Sequence, residues 1–86
     1  MEGLRMISKY EGVNDGMELI YDFIFDRNNN YVFVNGRKTH IYVKKSMILK
    51  YMSIHNYTIE ETESLMQKLK NKNAIMFMKT HGWIAR

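Results

Sequence analysis

The dipeptide Asn35-Gly36, inside YVFVNGRKTHIYV at residues 31–43, constrains this chain more than any other feature. A two-residue type I′ turn needs positive φ at both central positions. Asn followed by Gly adopts this at low cost, and the twist of the turn matches that of the strands it joins. Apolar residues alternate on both sides of it. The turn sets Val34 opposite Arg37, Phe33 opposite Lys38, Val32 opposite Thr39 and Tyr31 opposite His40. Strand side chains alternate between two faces. One face carries Val32, Val34, Arg37, Thr39, Ile41 and Val43, and as the more aliphatic it is the better core. The other carries Tyr31, Phe33, Lys38, His40, Tyr42 and Lys44. Aromatics interleaved with bases on a sheet stack nucleobases and neutralise phosphates. The plainer alternative is a core wall, since aromatics also cover hydrophobic layers well. An exposed Phe33 calls for a cover: a ligand, a partner, a second copy or the N-terminal segment.

The flanking segments extend this into a fold. MELIYDFIFD, residues 17–26, alternates Leu19, Tyr21, Phe23 and Phe25 against Glu18, Ile20, Asp22, Ile24 and Asp26, which reads as a strand. The loop EGVNDG precedes it, and Asn28, Asn29 and Asn30 turn the chain after it. Residues 1–10 fit a helix through Leu4, Ile7 and Tyr10, or a strand through Leu4 and Met6. After Lys44 the period changes. Met47, Ile48, Tyr51, Met52 and His55 share one helical stripe, and Asn56 is placed to end it. TIEE at 58–61 has the form of a capping box. It opens a helix with Ile59, Thr62, Leu65, Met66 and Leu69 inward, acids in its first turns and Lys68, Lys70 and Lys72 at its end, as the helix dipole favours. AIMFMK, 74–79, reads as a strand, THG as a tight turn and WIAR as a short return strand. The expected fold is α+β: a three-stranded antiparallel meander and a C-terminal hairpin, with two amphipathic helices on one face.

With 86 residues the chain is one domain, 1–86, with no room for a second core. It has no cysteine, which removes disulfides and thiolate metal sites and fits a reducing compartment. MEGLRMISKY contains no apolar run and does not resemble a secretory signal. The longest apolar stretches are about five residues, against the roughly 20 of a membrane helix. The expected setting is cytoplasmic, with no membrane partner. Zero prolines, eight methionines and frequent Asn, Lys, Ile and Tyr suggest an AT-rich coding sequence, a composition common in small phage and mobile-element proteins.

The chain is expected not to be an enzyme and to need no cofactor. His40, His55 and His81 fall on three different elements, without metal-ligand spacing. The serines lack a nucleophile-elbow context, and the five glycines form neither a phosphate loop nor a dinucleotide fingerprint. Glu60, Glu61 and Glu63 are explained as capping and dipole residues.

Charge points instead to binding. Residues 1–26 hold six acids and two bases, a net −4; residues 27–86 hold eleven bases and three acids, a net +8. No acid occurs between Arg27 and Ile59. A polyanion is the natural partner of such a surface, DNA or RNA above all. The order helix, short turn, capped helix, hairpin resembles that of winged helix-turn-helix DNA readers. The resemblance implies base or phosphate contacts from Gln67, Lys68, Lys70, Asn71 and Lys72, with Lys79, His81 and Arg86 on the wing. Two features weigh against it: recognition helices read DNA with their N-terminal residues, here glutamates, and a winged domain has a third helix, which only residues 1–10 are placed to provide. The candidate nucleic-acid residues are thus Tyr31, Phe33, Arg37, Lys38, His40, Tyr42, Lys44, Lys68, Lys70, Lys72 and Lys79. Met76, Phe77, Met78 and Trp83 crowd the last hairpin and both faces of its first strand are apolar, so that strand is either sandwiched between layers or at an oligomer interface, for which a homodimer is the expectation. The function expected is a small nucleic-acid-binding regulator. The alternative is a phage-type protein inhibitor that docks on a host or defence protein, with the acidic segment 11–26 mimicking a nucleic-acid backbone.

Overall fold

The computed structural model describes residues 10–79 and 81–86, with residues 31, 32, 39 and 40 by backbone alone. The readings of Leu4, Met6 and Ile7 and the turn residue Thr80 lie outside the described residues. The element order is α1 (Asp15–Asn28), β1 (Tyr31–Val34), β2 (Arg37–His40), α2 (Lys45–Ile54), α3 (Ile59–Asn71), β3 (Ile75–Met78) and β4 (Gly82–Ala85). The class is α+β, with three helices and two separate two-stranded antiparallel sheets.

The principal correction is at residues 17–26, which are helix and not strand, so there is no three-stranded meander. The alternation of Tyr21, Phe23 and Phe25 competes with a second pattern in the same residues. Met17, Ile20, Tyr21 and Ile24 stand at i, i+3, i+4 and i+7, and all four are buried. Local signals favour the helix: the Asn14 side chain accepts from the Met17 amide at 2.9 Å, and Asp15 and Glu18 lie in the first turn. A strand would have turned Ile20 and Ile24 away from the aromatics. The helix instead buries them with Ile48, Met52, Leu65, Leu69 and Ile75 in one core shared by α1, α2, α3 and the second sheet.

The first hairpin has the register read from its turn, Tyr31 to His40 through Val34 to Arg37, with positive φ at both Asn35 (55°) and Gly36 (78°). Its outer half is exposed on both faces among the described residues, however. Phe33 is 70% and Val34 50% exposed, because the helices pack on one another and on β4 instead of on this sheet. Among the described residues of the aliphatic face, Val34 and Arg37 are exposed and Val43 is buried in the core.

The helix pair is as expected in its essentials. Thr58 and Glu61 form the capping box, with bonds of 3.0 and 2.8 Å. Thr62, Leu65, Met66 and Leu69 are buried, but Ile59 is 58% exposed at the start of the helix. Asn56, at φ 69°, turns the chain between α2 and α3.

Val43 joins the two halves. It pairs antiparallel with Trp83, exchanging bonds of 2.7 and 3.3 Å, so a single rung places a third strand position beside β4. The next rung of that ladder would pair Ile41 with Ala85. The Asn28 side-chain amide stands in its place: Nδ2 donates to the Ile41 carbonyl at 3.0 Å and Oδ1 accepts from the Ala85 amide at 2.8 Å. Nδ2 also reaches the Trp83 carbonyl at 3.4 Å. One side chain at the end of α1 therefore ties together the helix, the strand before α2 and β4.

Tyr21 closes the far end of β4, donating to the Arg86 carbonyl at 3.2 Å. Burial, then the nearby Tyr10 and Asp22, push its phenol up to about 12. Between pH 10 and 12 an unfolded Tyr21 loses its proton while the folded one keeps it. Stability is therefore intact below pH 10 and declines as pH rises to about 12. Thermal midpoints across this window should fall less steeply in Tyr21→Phe than in the wild type; equal slopes would contradict the assignment.

Candidate nucleic-acid interface

The outward side of α3 follows from its inward one. With Thr62, Leu65, Met66 and Leu69 buried, the helical period places Glu60, Ser64, Gln67 and Asn71 furthest from the core, flanked by Glu63 and Lys70 on one side and Lys68 on the other. Gln67 Nε2 donates to Asn71 Oδ1 at 2.9 Å. Two primary amides thus stand one turn apart in a shared orientation on the exposed face. Amides of this kind pair with the acceptor and donor of an adenine edge.

The glutamates that open α3 are partly accounted for. The Glu61 carboxylate accepts from the Thr58 amide in the capping box. Glu63 pairs with Lys45, the first residue of α2, at 2.7 Å, both side chains about half exposed. An exposed pair of this kind contributes about 0–1 kcal/mol and is screened by salt, so a competing phosphate separates it at small cost. Glu60 remains exposed at the N-terminal end. The C-terminal half, with Lys68 and Lys70, is the cationic half.

That half faces the second hairpin. Lys45, Glu63, Met66, Gln67, Lys70 and Trp83 line a cleft of about 220 Å³ where α2 begins, α3 passes and β4 runs. Strand alternation puts Ile75, Phe77, Trp83 and Ala85 on one face of this hairpin. Its inner end is buried at Ile75, and its outer end carries Phe77, 52% exposed, packed on Trp83 with ring centroids 5.3 Å apart. Phe77 and Trp83, read from sequence as a dimer interface, therefore stand on the face that borders Lys70 of α3. Met76 is 38% exposed on the opposite face, with Met78 half-buried beside it.

The first-hairpin residues divide into two groups. Val43 runs antiparallel to β4, so Lys44 lies at the Gly82 end and Ile41 at the Ala85 end. Tyr42 and exposed Lys44 consequently belong with the second hairpin, and the Tyr42 ring lies 4.7 Å from His81 in its turn, next to exposed Lys79. Phe33, Arg37 and Lys38 lie on the projecting part, which leaves the body at the opposite end of β4. The side chains of Tyr31 and His40 lie outside the described residues. Lys72 is half-buried at the end of α3, with its ammonium near Gly12. The sequence reading thus united groups that the fold separates. It also passed over Lys45, for which the signal was two adjacent lysines at a helix start with no acid in the first turn.

Among the described residues, no three of His, Cys, Asp and Glu gather as metal ligands would, and no helix is long and apolar enough to cross a membrane. No protein-family model, no curated protein and no solved structure matches the chain.

Proposed function

We propose that this chain is a small non-enzymatic DNA-binding protein that meets duplex DNA with the C-terminal half of α3, the start of α2 and the β3–β4 hairpin, in the manner of a winged helix-turn-helix. The observation that carries the reading is the course of the chain around Val43. A first helix, a strand position bridged to the last hairpin, a helix–turn–helix and that hairpin follow in the order of such readers, and α1 supplies the third helix this architecture requires. The charge supports it further: Lys45 and Lys70 line the cleft with Gln67, Lys68 flanks the outward side of α3 from the other side, and Lys44 and Lys79 are exposed at the turn end of the last hairpin. In this arrangement the lysines hold phosphate and set the register, while the paired amides meet base edges.

The test is fluorescence anisotropy with labelled duplex DNA, single-stranded DNA and RNA at about 50 and 200 mM salt. Duplex is expected to bind best, at roughly micromolar affinity on an arbitrary sequence, and to weaken steeply with salt. Lys68→Glu with Lys70→Glu should cut affinity at least about tenfold and flatten the salt slope by about two. Absence of duplex binding at low salt, or binding that ignores both lysines, would refute the proposal.

A second reading has its own observation. Asp15, Glu18, Asp22 and Asp26 stand at i, i+3, i+7 and i+11 along α1, an acidic ridge opposite its buried stripe. That ridge suits a basic protein partner and supports an inhibitor role if nucleic acid fails to bind.

A further inference from the structure

We propose that Asn35 is a site of self-modification: the Gly36 backbone nitrogen displaces the Asn35 side-chain amide, leaving aspartate or isoaspartate at the tip of the β1–β2 hairpin. The reaction takes only water as co-reactant, and it stands apart from the proposed DNA binding.

Such a displacement needs a carboxamide that nothing holds, a following backbone nitrogen that is not engaged, and room for the two to meet. The fold denies this to the other asparagines. Asn14 accepts from the Met17 amide, and Asn28 is tied to Ile41 and Ala85. Asn29 and Asn30 donate to the Phe25 and Asp26 carbonyls, and Asn71 accepts from Gln67. Asn56 and Asn73 share positive φ with Asn35, at 69° and 60° against 55°. The nitrogens that would attack there are engaged, however: the Tyr57 amide donates to the Met52 carbonyl at 3.0 Å and the Ala74 amide to the Leu69 carbonyl at 2.9 Å. Asn35 is exposed, and no hydrogen bond engages its side chain among the described residues. The ladder closes between Val34 and Arg37, which leaves the Gly36 amide outside it. Even a Cβ on Gly36 would meet nothing within 4 Å, so the approach is open.

The Gly36 N–H gives its proton to hydroxide, and the nitrogen bonds to Asn35 Cγ. The Cγ–Nδ2 bond breaks, and Nδ2 takes a proton from water and leaves as ammonia. Water then opens the resulting succinimide ring. Addition at Cγ restores the ordinary main chain with an aspartate. Addition at the main-chain carbonyl carbon routes the chain through Cβ, which is isoaspartate. To react, Asn35 must leave its turn conformation. That motion is cheap here, because β1 and β2 form a two-stranded sheet with residues 33–38 exposed, and such a hairpin is marginal by itself. Either product adds a negative charge beside Arg37. Isoaspartate also adds a main-chain carbon, which a two-residue turn cannot absorb without losing the Val34–Arg37 register.

The test is incubation of the full chain in warm, mildly alkaline buffer, followed by proteolysis and peptide mass spectrometry. The Asn35 peptide should lose the mass of ammonia and gain that of water at least about tenfold faster than any other asparagine peptide. The intact chain should shift on ion exchange, its net charge falling from +4 by one. The rate at Asn35 in the folded chain should lie within about tenfold of that in urea, since opening this hairpin costs little. Asn35→Gly keeps a turn that accepts positive φ and should abolish the charge shift. A rate at Asn35 no faster than at Asn56 or Asn73 would overturn the proposal. So would protection by the fold of several orders of magnitude, or a charge shift that persists in Asn35→Gly.

Discussion

Gly82→Val is expected to detach the second hairpin from the body and to destabilise the protein by about 3–5 kcal/mol. Two separate costs add. Gly82 holds φ at 134°, where a side chain costs about 1–3 kcal/mol. A Cβ there would also stand 2.6 Å from the Val43 carbonyl oxygen, a backbone atom that cannot swing aside as the end of a side chain does. Relief requires the strands to part, and parting them breaks both bonds of the Val43–Trp83 rung. For a chain of 86 residues the whole folding free energy is on the order of 4–13 kcal/mol, so the loss takes a large share of it. Trp83 is the only tryptophan, so its fluorescence and near-ultraviolet circular dichroism report the change directly. An unaltered tryptophan signal and melting midpoint would contradict this account. Under the proposed function, the same substitution also lowers DNA affinity, because Trp83 loses its position in the cleft beside Lys70.

Asn28→Asp is expected to cost about 2–4 kcal/mol near neutral pH. Asn28 splices one side-chain amide into a backbone ladder, donating to the Ile41 and Trp83 carbonyls and accepting from the Ala85 amide. Aspartate keeps the acceptor and loses the donor, turning a charged oxygen toward two carbonyl oxygens. That arrangement disfavours the ionised form and raises the new carboxyl's pKa in the folded state. The folded variant then holds more protons than the unfolded one, so its stability falls as pH rises from about 4 and recovers on acidification. Asn28→Ala leaves the ladder groups unpaired without adding charge. It should be destabilised without this pH dependence. Urea titrations of both variants at about pH 4 and pH 7 separate the two mechanisms, and equal losses at both values in Asn28→Asp would count against the amide splice.

Several elements were legible because their signals are local. The Asn35-Gly36 turn needs only its own backbone preference, and it set the register of β1 and β2 correctly. Thr58 and Glu61 cap α3 through bonds three residues apart, and the α3 stripe is periodic over its length. Residues 17–26 were misread because aromatic alternation and a helical stripe coexist in them, and the Asn14 cap went unread; the cap and the neighbours to be packed decide between the two. With a four-residue hairpin on one side there is no long strand for them to pair with. With α2 and α3 on the other there is a core that a helical stripe fills. Ile59 was placed inside by period, yet at the helix start it is left 58% exposed. The candidate site was legible as a list of cations and aromatics, but not in its grouping. Phe77 and Trp83 moved to the side of Lys70, Tyr42 moved to His81, and Phe33, Arg37 and Lys38 moved to a separate hairpin.

The sequence by itself determined the turns, the caps, the inward stripe of α3 and the division of charge into an acidic first third and a basic remainder. Each depends on residues within about one helical turn or one strand pair of each other, or on composition alone. The tertiary structure decided that α1 is a helix, that the two hairpins form separate sheets, and that α3, the start of α2 and the last hairpin meet at one cleft. While α1 is held as a helix by the core its stripe fills, the placement of the two hairpins rests on single contacts between distant residues, Val43 with Trp83 and Asn28 with Ile41 and Ala85. Such contacts leave no periodic trace in a sequence, because hydrogen-bond geometry in the assembled fold, and not local propensity, selects the partners.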